Sequence, residues 1–404
     1  MGINPSTIQL GVKENFKLFA ILVLVNALVG SLIGLERTII PRIAEIEFNI
    51  HNANHLFSFI LVFGFSKSFT NLFSGYLFSK FGRKVILITG WVIALPIPFI
   101  FYFAHDWNWL LIANVLLGIN QGLTWSATVI MKIDLSGAQN RGLAVGLNEF
   151  VGYFFLGITA FLTGWLFDRY ANIHILFYYS LFVVLFGMVI SLFFVKETIP
   201  WVNLEKINLV NSHPNFRNVF LSTTFFNKNL SATSQAGLIT NLNDGMVWGI
   251  IPILLFEMNF SFIAIGIVVA IYPMIWGVGQ LFSGMISDYY DKRKILMLGM
   301  FLQSIILPTI LFSSTIEYFI LIMIFLGISK AMVYPTFLTV IAENSSTDDR
   351  PKSLGVFRFW RDLGYVFGAL LTGFMAHKYS IDSTIIVVSI ITFFSFLVLA
   401  KRMS

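Results

Sequence analysis

The chain has 404 residues, 57% of them hydrophobic and only 11% charged, with 26 Lys and Arg against 20 Asp and Glu for a formal net charge of +6. Soluble domains average about 25% charged residues, so this composition excludes a water-soluble fold and points to a chain that lies in a bilayer. There is no cysteine, which excludes a disulfide framework and thiolate chemistry.

Apolar stretches long enough to cross about 30 Å of hydrocarbon occur twelve times, near 16–40, 54–78, 85–103, 110–131, 142–166, 173–195, 235–256, 260–286, 295–313, 317–340, 353–375 and 383–400. The first is too long for a signal peptide and no small-residue cleavage site follows it, so it is expected to remain as an uncleaved anchor. Length and interior Gly and Pro suit helices rather than the short alternating strands of a barrel. The expected fold class is therefore an all-α membrane protein of twelve transmembrane helices in two pseudo-symmetric six-helix bundles. Residues 1–195 and 235–404 are the expected bundles, and 196–234 the expected cytoplasmic linker, whose segment 216–226 has the mixed pattern of a short surface helix or an ordinary tether.

Polar residues within the spans are costly and mark candidate sites. In chain order, Glu36 and Arg37 lie in the outer part of the first span and Lys67 in the second. Gln121 and Trp125 lie one turn apart in the fourth, with Asn114 and Asn120 beside them, and Asn148 and Glu149 lie in the fifth. Asn241, Asp244 and Trp248 form a stripe on the seventh, Gln303 lies in the ninth, Lys330 and Tyr334 lie one turn apart in the tenth, and Arg358, Arg361 and Asp362 share a face of the eleventh. The nine ionisable groups, at about 3 kcal/mol for each charge left in lipid, would together cost on the order of 27 kcal/mol, so they are expected to face each other, water or a solute. For Asn, Gln, Trp and Tyr, interhelical contact and space filling are competing readings. A structural network competes for Arg358, Arg361 and Asp362.

The sequence is duplicated. GYLFSKFGRK, from Gly75 to Lys84, returns 209 residues later as GMISDYYDKRK from Gly284, and LTGWLFDRY ending at Tyr170 returns at the same offset as LTGFMAHKY ending at Tyr379. Gln121 and Trp125 then correspond to Lys330 and Tyr334. A repeat of this length in hydrophobic sequence implies two related bundles with a site at their interface, as in secondary transporters. Within the repeated loops, Gly75 and Gly284 allow close helix approach and Gly82 a tight turn. Arg83, Lys84, Lys292, Arg293 and Lys294 are expected to anchor the turns at anionic headgroups.

Basic residues set the orientation. With the N-terminus inside, eighteen of the 26, Lys132 among them, fall in cytoplasmic segments and three in outer loops. Both termini are then cytoplasmic, and the positive charge needs no nucleic-acid partner. The six histidines fall in predicted loops, and only His51 and His55 lie one turn apart, too few for a metal site. There is no G-x-x-x-x-G-K-[ST] motif, so neither a cofactor nor direct use of ATP is expected.

GYLFSKFGRK resembles the loop motif G-x-L-a-D-r-x-G-r-k that follows the second helix of the major facilitator superfamily, and its second copy stands where that family repeats it. The resemblance extends over nearly the whole chain and implies a drug- or metabolite-permease-like transporter, with GLERTIIP, GINQGLTW and GLNEFVGY adding some similarity to magnetosome-associated permeases. In the family the acidic position of the motif docks on a neighbouring helix terminus. Here that position is Ser79 in the first copy and Asp288 in the second, which implies a weaker latch in the N-terminal half. The family's drug antiporters carry an arginine where this chain has Gly118, and a Gly-Pro element absent from 142–157, which weighs against antiport.

The family arrangement makes the second and eleventh helices neighbours, so Lys67 is expected to pair with Asp362 or join its network. The function implied is secondary active transport of a small solute by alternating access, coupled to protons through Glu36, Glu149 or Asp244, by a monomer in the prokaryotic inner membrane. A facilitative permease for an anionic or zwitterionic metabolite is the alternative. A membrane sensor or enzyme is the rival class, and the chain supplies neither an added soluble domain nor the usual metal ligands for it.

Overall fold

The computed structural model describes residues 8–46, 48, 53–137, 140–170, 174–206, 215–260 and 262–403. The first six spans are Phe16–Ile46 (α1), Ala53–Phe81 (α2), Arg83–Ala94 with Pro96–Phe103 (α3 and α4), Trp107–Ser136 (α5), Arg141–Tyr170 (α6) and His174–Phe193 (α7). The last six are Lys228–Glu257 (α10), Phe262–Tyr289 (α11), Lys292–Ile306 (α12), Ile316–Glu343 (α13), Arg350–Lys378 (α14) and Ile381–Arg402 (α15). Between the two sets, Ile199–Lys206 (α8) and Phe216–Leu221 (α9) are short helices, and α9 runs through a π turn at Ser222–Phe226 into α10.

Local chemistry punctuates both halves at matching places. The third span breaks at Leu95, ahead of Pro96 and Pro98, and the ninth tightens into a 3₁₀ turn at Leu307–Phe312 around Pro308. Asp106 caps α5 and Thr315, 209 residues later, caps α13. Where Asp291 caps α12 through the Arg293 N–H, the matching residue before α3 is Gly82, at φ 88°. With no side chain there, Glu197 reaches across to accept the Lys84 N–H at 3.0 Å.

Each half packs in the same way. In the first, α1 lies on α6 and α2 on α5; in the second, α10 lies on α14 and α11 on α13. The halves meet along two seams, α2 against α14 and α6 against α11, which the duplication makes equivalent. Large apolar side chains such as Phe161, Phe193 and Phe394 stand exposed on the outside, the surface that hydrocarbon covers. Eight described spans are apolar enough by composition to cross a membrane, and α2, α10 and α14 are not among them. These three helices bury their polar residues against other helices.

Both seams are tight at one end and loosen toward the other. A Cβ placed on Gly142 would stand 2.2 Å from the Gly284 carbonyl oxygen, and one on Gly146 2.6 Å from that of Gln280. On Gly277 the nearest atom would be 3.3 Å away and on Gly157 4.0 Å. Along α2 and α14 the same sequence runs from 2.1 Å at Gly75, to 2.6 Å at Gly355, to 3.2 Å at Gly64. The structure is closed at the face that bears the repeated loops.

Candidate functional site

Midway along the seams lies a continuous polar network. Glu149 on α6 is fully buried, and its Oε1 accepts from Trp125 Nε1 at 2.9 Å and from Asn148 Nδ2 at 3.0 Å. Its Oε2 has no hydrogen-bond partner among the described residues. Arg358 on α14 approaches from the other half, with Nη2 3.7 Å from Glu149 Oε1, too far for a hydrogen bond. Its Nη1 donates to Ser126 Oγ at 2.7 Å, and Ser126 donates to Asn71 Oδ1 at 2.7 Å. Asn71 Nδ2 donates to Asp362 Oδ2 at 2.7 Å, and Arg361 Nε completes the chain at 2.8 Å from Asp362 Oδ1. The Arg361 guanidinium lies 4.4 Å over the Tyr334 ring.

A second ionic centre lies inside the C-terminal half. Lys330 Nζ is 2.7 Å from Asp244 Oδ2, and also donates to Asn241 Oδ1 at 3.1 Å and the Thr240 carbonyl at 2.8 Å. Tyr272 donates to the other Asp244 oxygen at 2.5 Å. All three ammonium protons and both carboxylate oxygens are thus used, which a buried pair requires if its attraction is to offset desolvation. Aromatic rings join the two centres: Trp125 packs on Tyr153, Tyr153 on Trp276 at 4.1 Å, and Trp276 lies 5.0 Å under Lys330 Nζ.

The repeated loops sit at the closed face and their two copies differ. Asp288 reaches across the seam to the first turn of α6, accepting from Gly142 N at 2.8 Å and Leu143 N at 3.0 Å, where the helix dipole favours a carboxylate. Ser79 instead donates to the Gly75 carbonyl of its own helix. The residue 209 positions on from Gly142 is Pro351, which has no N–H to offer. Both sides of the contact are therefore changed together in the first copy.

Residues 19–232 and 233–403 match the pattern described as Major Facilitator Superfamily, one match to each half. The chain belongs to the Major Facilitator Superfamily. It resembles the proton-coupled antiporter flippase LtaA of Staphylococcus haemolyticus, at 23% identity over 91% of this chain and 88% of that one. A shorter match, to the uncharacterized MFS-type transporter MJ1560 of Methanocaldococcus jannaschii, has 27% identity over 35% of this chain and 37% of that protein. Among solved structures, the proton:xylose symporter XylE bound to 6-bromo-6-deoxy-D-glucose superposes with a TM-score of 0.75 at 14% identity, over 96% of each chain. Members of the superfamily are membrane transporters rather than enzymes.

Within this superfamily fold, the candidate residues fall into three groups. Glu149, Arg358, Arg361, Asp362, Asn148 and Trp125 share the seam network, and Lys330, Asp244, Asn241 and Tyr334 surround or adjoin the second centre. Trp248 stacks on Tyr365 at 5.3 Å, while Asn120 and Gln121 bond to backbone carbonyls of Gly90 and Val29 as interhelical ties. Lys67 Nζ lies 5.6 Å over the Trp125 ring, and Asn71, one turn along α2, carries the bond to Asp362. The side chains of Glu36, Arg37 and His55, and the whole of His51, lie outside the described residues.

Two expectations about basic residues are corrected. Lys132 is not in a cytoplasmic loop: it is fully buried on α5 and donates to Asn148 Oδ1 at 2.6 Å and the Leu22 carbonyl at 3.0 Å. Arg83 does not reach headgroups either, because it is buried against Asp134 at 3.1 Å, and Lys84 Nζ bonds the Leu192 carbonyl. In the second copy Lys292 pairs with Glu343 at 3.2 Å, both partners 209 residues on from the first pair, and Arg293 bonds the Ala400 carbonyl. A loop beneath a helix bundle finds carboxylates and free helix-end carbonyls closer than lipid phosphates. Sequence reasoning also passed over Asn71, Trp276 and Gln280; the last two are the repeat partners of Lys67 and Asn71, so the 209 offset was a signal that leads to them.

Proposed function

We propose that this superfamily member is a proton-coupled secondary transporter that carries a small solute by alternating access, with Glu149 as the group that takes the proton. The observation that carries the reading is the state of Glu149: fully buried at the seam, with one oxygen without a partner among the described residues, and paired at 3.7 Å with a cation held on the opposite half. A carboxylate whose partner moves away when the halves rock is a group whose protonation biases the two arrangements differently, which is what coupling requires. The tight packing of both seams at the loop-bearing end and their looser packing farther along, among the described residues, support the same reading, since alternating access needs two seams that open at opposite ends. The protein acts as a monomer in a prokaryotic cytoplasmic membrane with both termini inside, so the closed face is cytoplasmic. Seventeen basic residues remain on that side once Lys132 is counted as buried, which supports the orientation.

The test is made in vesicles containing the purified protein and a trapped pH indicator. Addition of a transported solute is expected to change lumenal pH in the wild type and not in Glu149→Gln, which retains solute exchange. Solute movement with no associated proton flux in the wild type would replace this reading with facilitative permeation.

A further inference from the structure

Among the described residues, Arg361 Nη1 on α14 and Trp276 Nε1 and Gln280 Nε2 on α11 are buried donors with no hydrogen-bond acceptor, Arg358 Nη2 has only its 3.7 Å ion pair with Glu149, and the acceptors Gln280 Oε1 and Glu149 Oε2 are likewise without a hydrogen-bond partner. Arg358 and Arg361 are one turn apart on α14, and Trp276 and Gln280 one turn apart on α11. Facing them on α6, Glu149 lies between Gly146, which touches Gln280, and Tyr153, which stacks on Trp276. Buried donors without partners are costly, and a site where they outnumber the unpartnered acceptors favours an acceptor-rich ligand. Charge points the same way. Lys67, Lys132, Lys330, Arg358 and Arg361 outnumber Glu149, Asp244 and Asp362 by five to three among the buried central residues.

Resting on the proton-coupled reading above, we propose that the chain takes a small organic carboxylate as solute, held by Arg358, and moves it together with a proton on Glu149. The ionised Glu149 carboxylate and the solute carboxylate compete for the same guanidinium, and two buried anions on one cation repel. A proton from solvent on Glu149 Oε2 removes that repulsion and frees Arg358 Nη2 for the solute. Proton and monoanion then load together with no net charge added. The other charged or titratable groups around Glu149 are fixed elsewhere: Lys132 of α5 on Asn148, Arg361 on Asp362, and Lys330 of α13 with Tyr272 of α11 on Asp244. Tyr334 of α13 lies under Arg361, Tyr153 of α6 stacks on Trp276, and Lys67 of α2 lies over Trp125. On α7, Tyr179 shares a hydrogen bond with Thr159 of α6. On α1, Asn26 bonds the Asn148 carbonyl.

Binding is tested on the purified full chain by thermal shift and calorimetry at several pH values, with acetate, lactate and benzoate as carboxylates, phosphate as a different anion, and choline and xylose as cationic and neutral controls. At least one carboxylate is expected to stabilise the protein, with affinity rising up to about tenfold for each pH unit lowered, the limit for one linked proton. Glu149→Gln is expected to bind the same carboxylate without pH dependence. Arg358→Gln loses at least tenfold at every pH, and Arg358→Lys, which keeps the charge if the first variant fails to fold, loses the fork geometry and part of the affinity. Stabilisation by choline, xylose or phosphate and by none of the carboxylates, or carboxylate affinity that ignores pH in the wild type, overturns the inference, as does failure of the whole carboxylate set to bind. Carboxylate binding with no proton-linked flux in vesicles would instead overturn the coupling reading and leave the anion site standing.

Discussion

Replacing Asp288 with Asn weakens the clasp across the α6 and α11 seam without changing its shape. Asp288 accepts two backbone N–H bonds at 2.8 and 3.0 Å from the first turn of α6. An amide keeps one acceptor oxygen and loses the charge that the helix dipole favours. A hydrogen bond to a charged group contributes about 1.5–3 kcal/mol and the dipole about 0.3–1 kcal/mol, and the partial exposure of Asp288 reduces both. The net loss is about 1–2 kcal/mol, which shifts the balance between closed and open arrangements roughly 5- to 30-fold toward opening at the repeated-loop face. Because the chain has no cysteine, spin labels on Phe81→Cys and Tyr289→Cys, both exposed and in opposite halves, report that face alone. Pulsed electron resonance in nanodiscs is expected to show a longer distance population growing in Asp288→Asn. Adding Ser79→Asp is not expected to restore the short distances, since Pro351 supplies no N–H at the position that matches Gly142. Ser79→Asp with Pro351→Gly is expected to do so. An unchanged distance distribution in Asp288→Asn, or full rescue by Ser79→Asp alone, would refute the reasoning.

Three further outcomes follow from the packing. Lys330→Met leaves Asp244 charged and unpaired in the core, so the apparent unfolding midpoint in detergent falls by the equivalent of about 3–5 kcal/mol, and adding Asp244→Leu recovers most of it. Gly30→Val places a Cβ 2.1 Å from the Gly152 carbonyl oxygen and forces α1 off α6, lowering folded yield on size-exclusion chromatography, whereas Gly157→Ala, with 4.0 Å of clearance, is tolerated. Arg83→Met removes the ion-pair partner of Asp134, leaving the Thr198 hydrogen bond and the weaker attraction of Arg350, and lowers the unfolding midpoint; Arg83→Met with Asp134→Leu moves it back toward the wild-type value.

Membrane residence, the number of spans and the duplication were legible in the sequence because each is a property of the chain read along itself: hydropathy over about twenty residues, or the same residues at a fixed offset. The repeat also pointed to Lys330 opposite Gln121 and to unequal motif copies at Ser79 and Asp288. It said nothing of Pro351 as the other half of that asymmetry, since the contact joins residues more than 270 positions apart. Lys132 and Arg83 were read as loop charges because position near a span end is a one-dimensional cue. Their partners, Asn148 and Asp134, lie across helix contacts that only packing creates. Asp244 and Lys330 were each visible as costly charges, but a carboxylate and an ammonium 86 residues apart become a satisfied pair only when α10 and α13 meet. Glu149 shows the converse: packing brought Arg358 to within 3.7 Å and left one oxygen without a partner among the described residues. Sequence determined that this chain must bury charge inside a membrane, because lipid offers nothing to solvate it. Tertiary structure decided which charges are spent on each other and which one, Glu149, is left with a distant cation and, among the described residues, an oxygen without a partner.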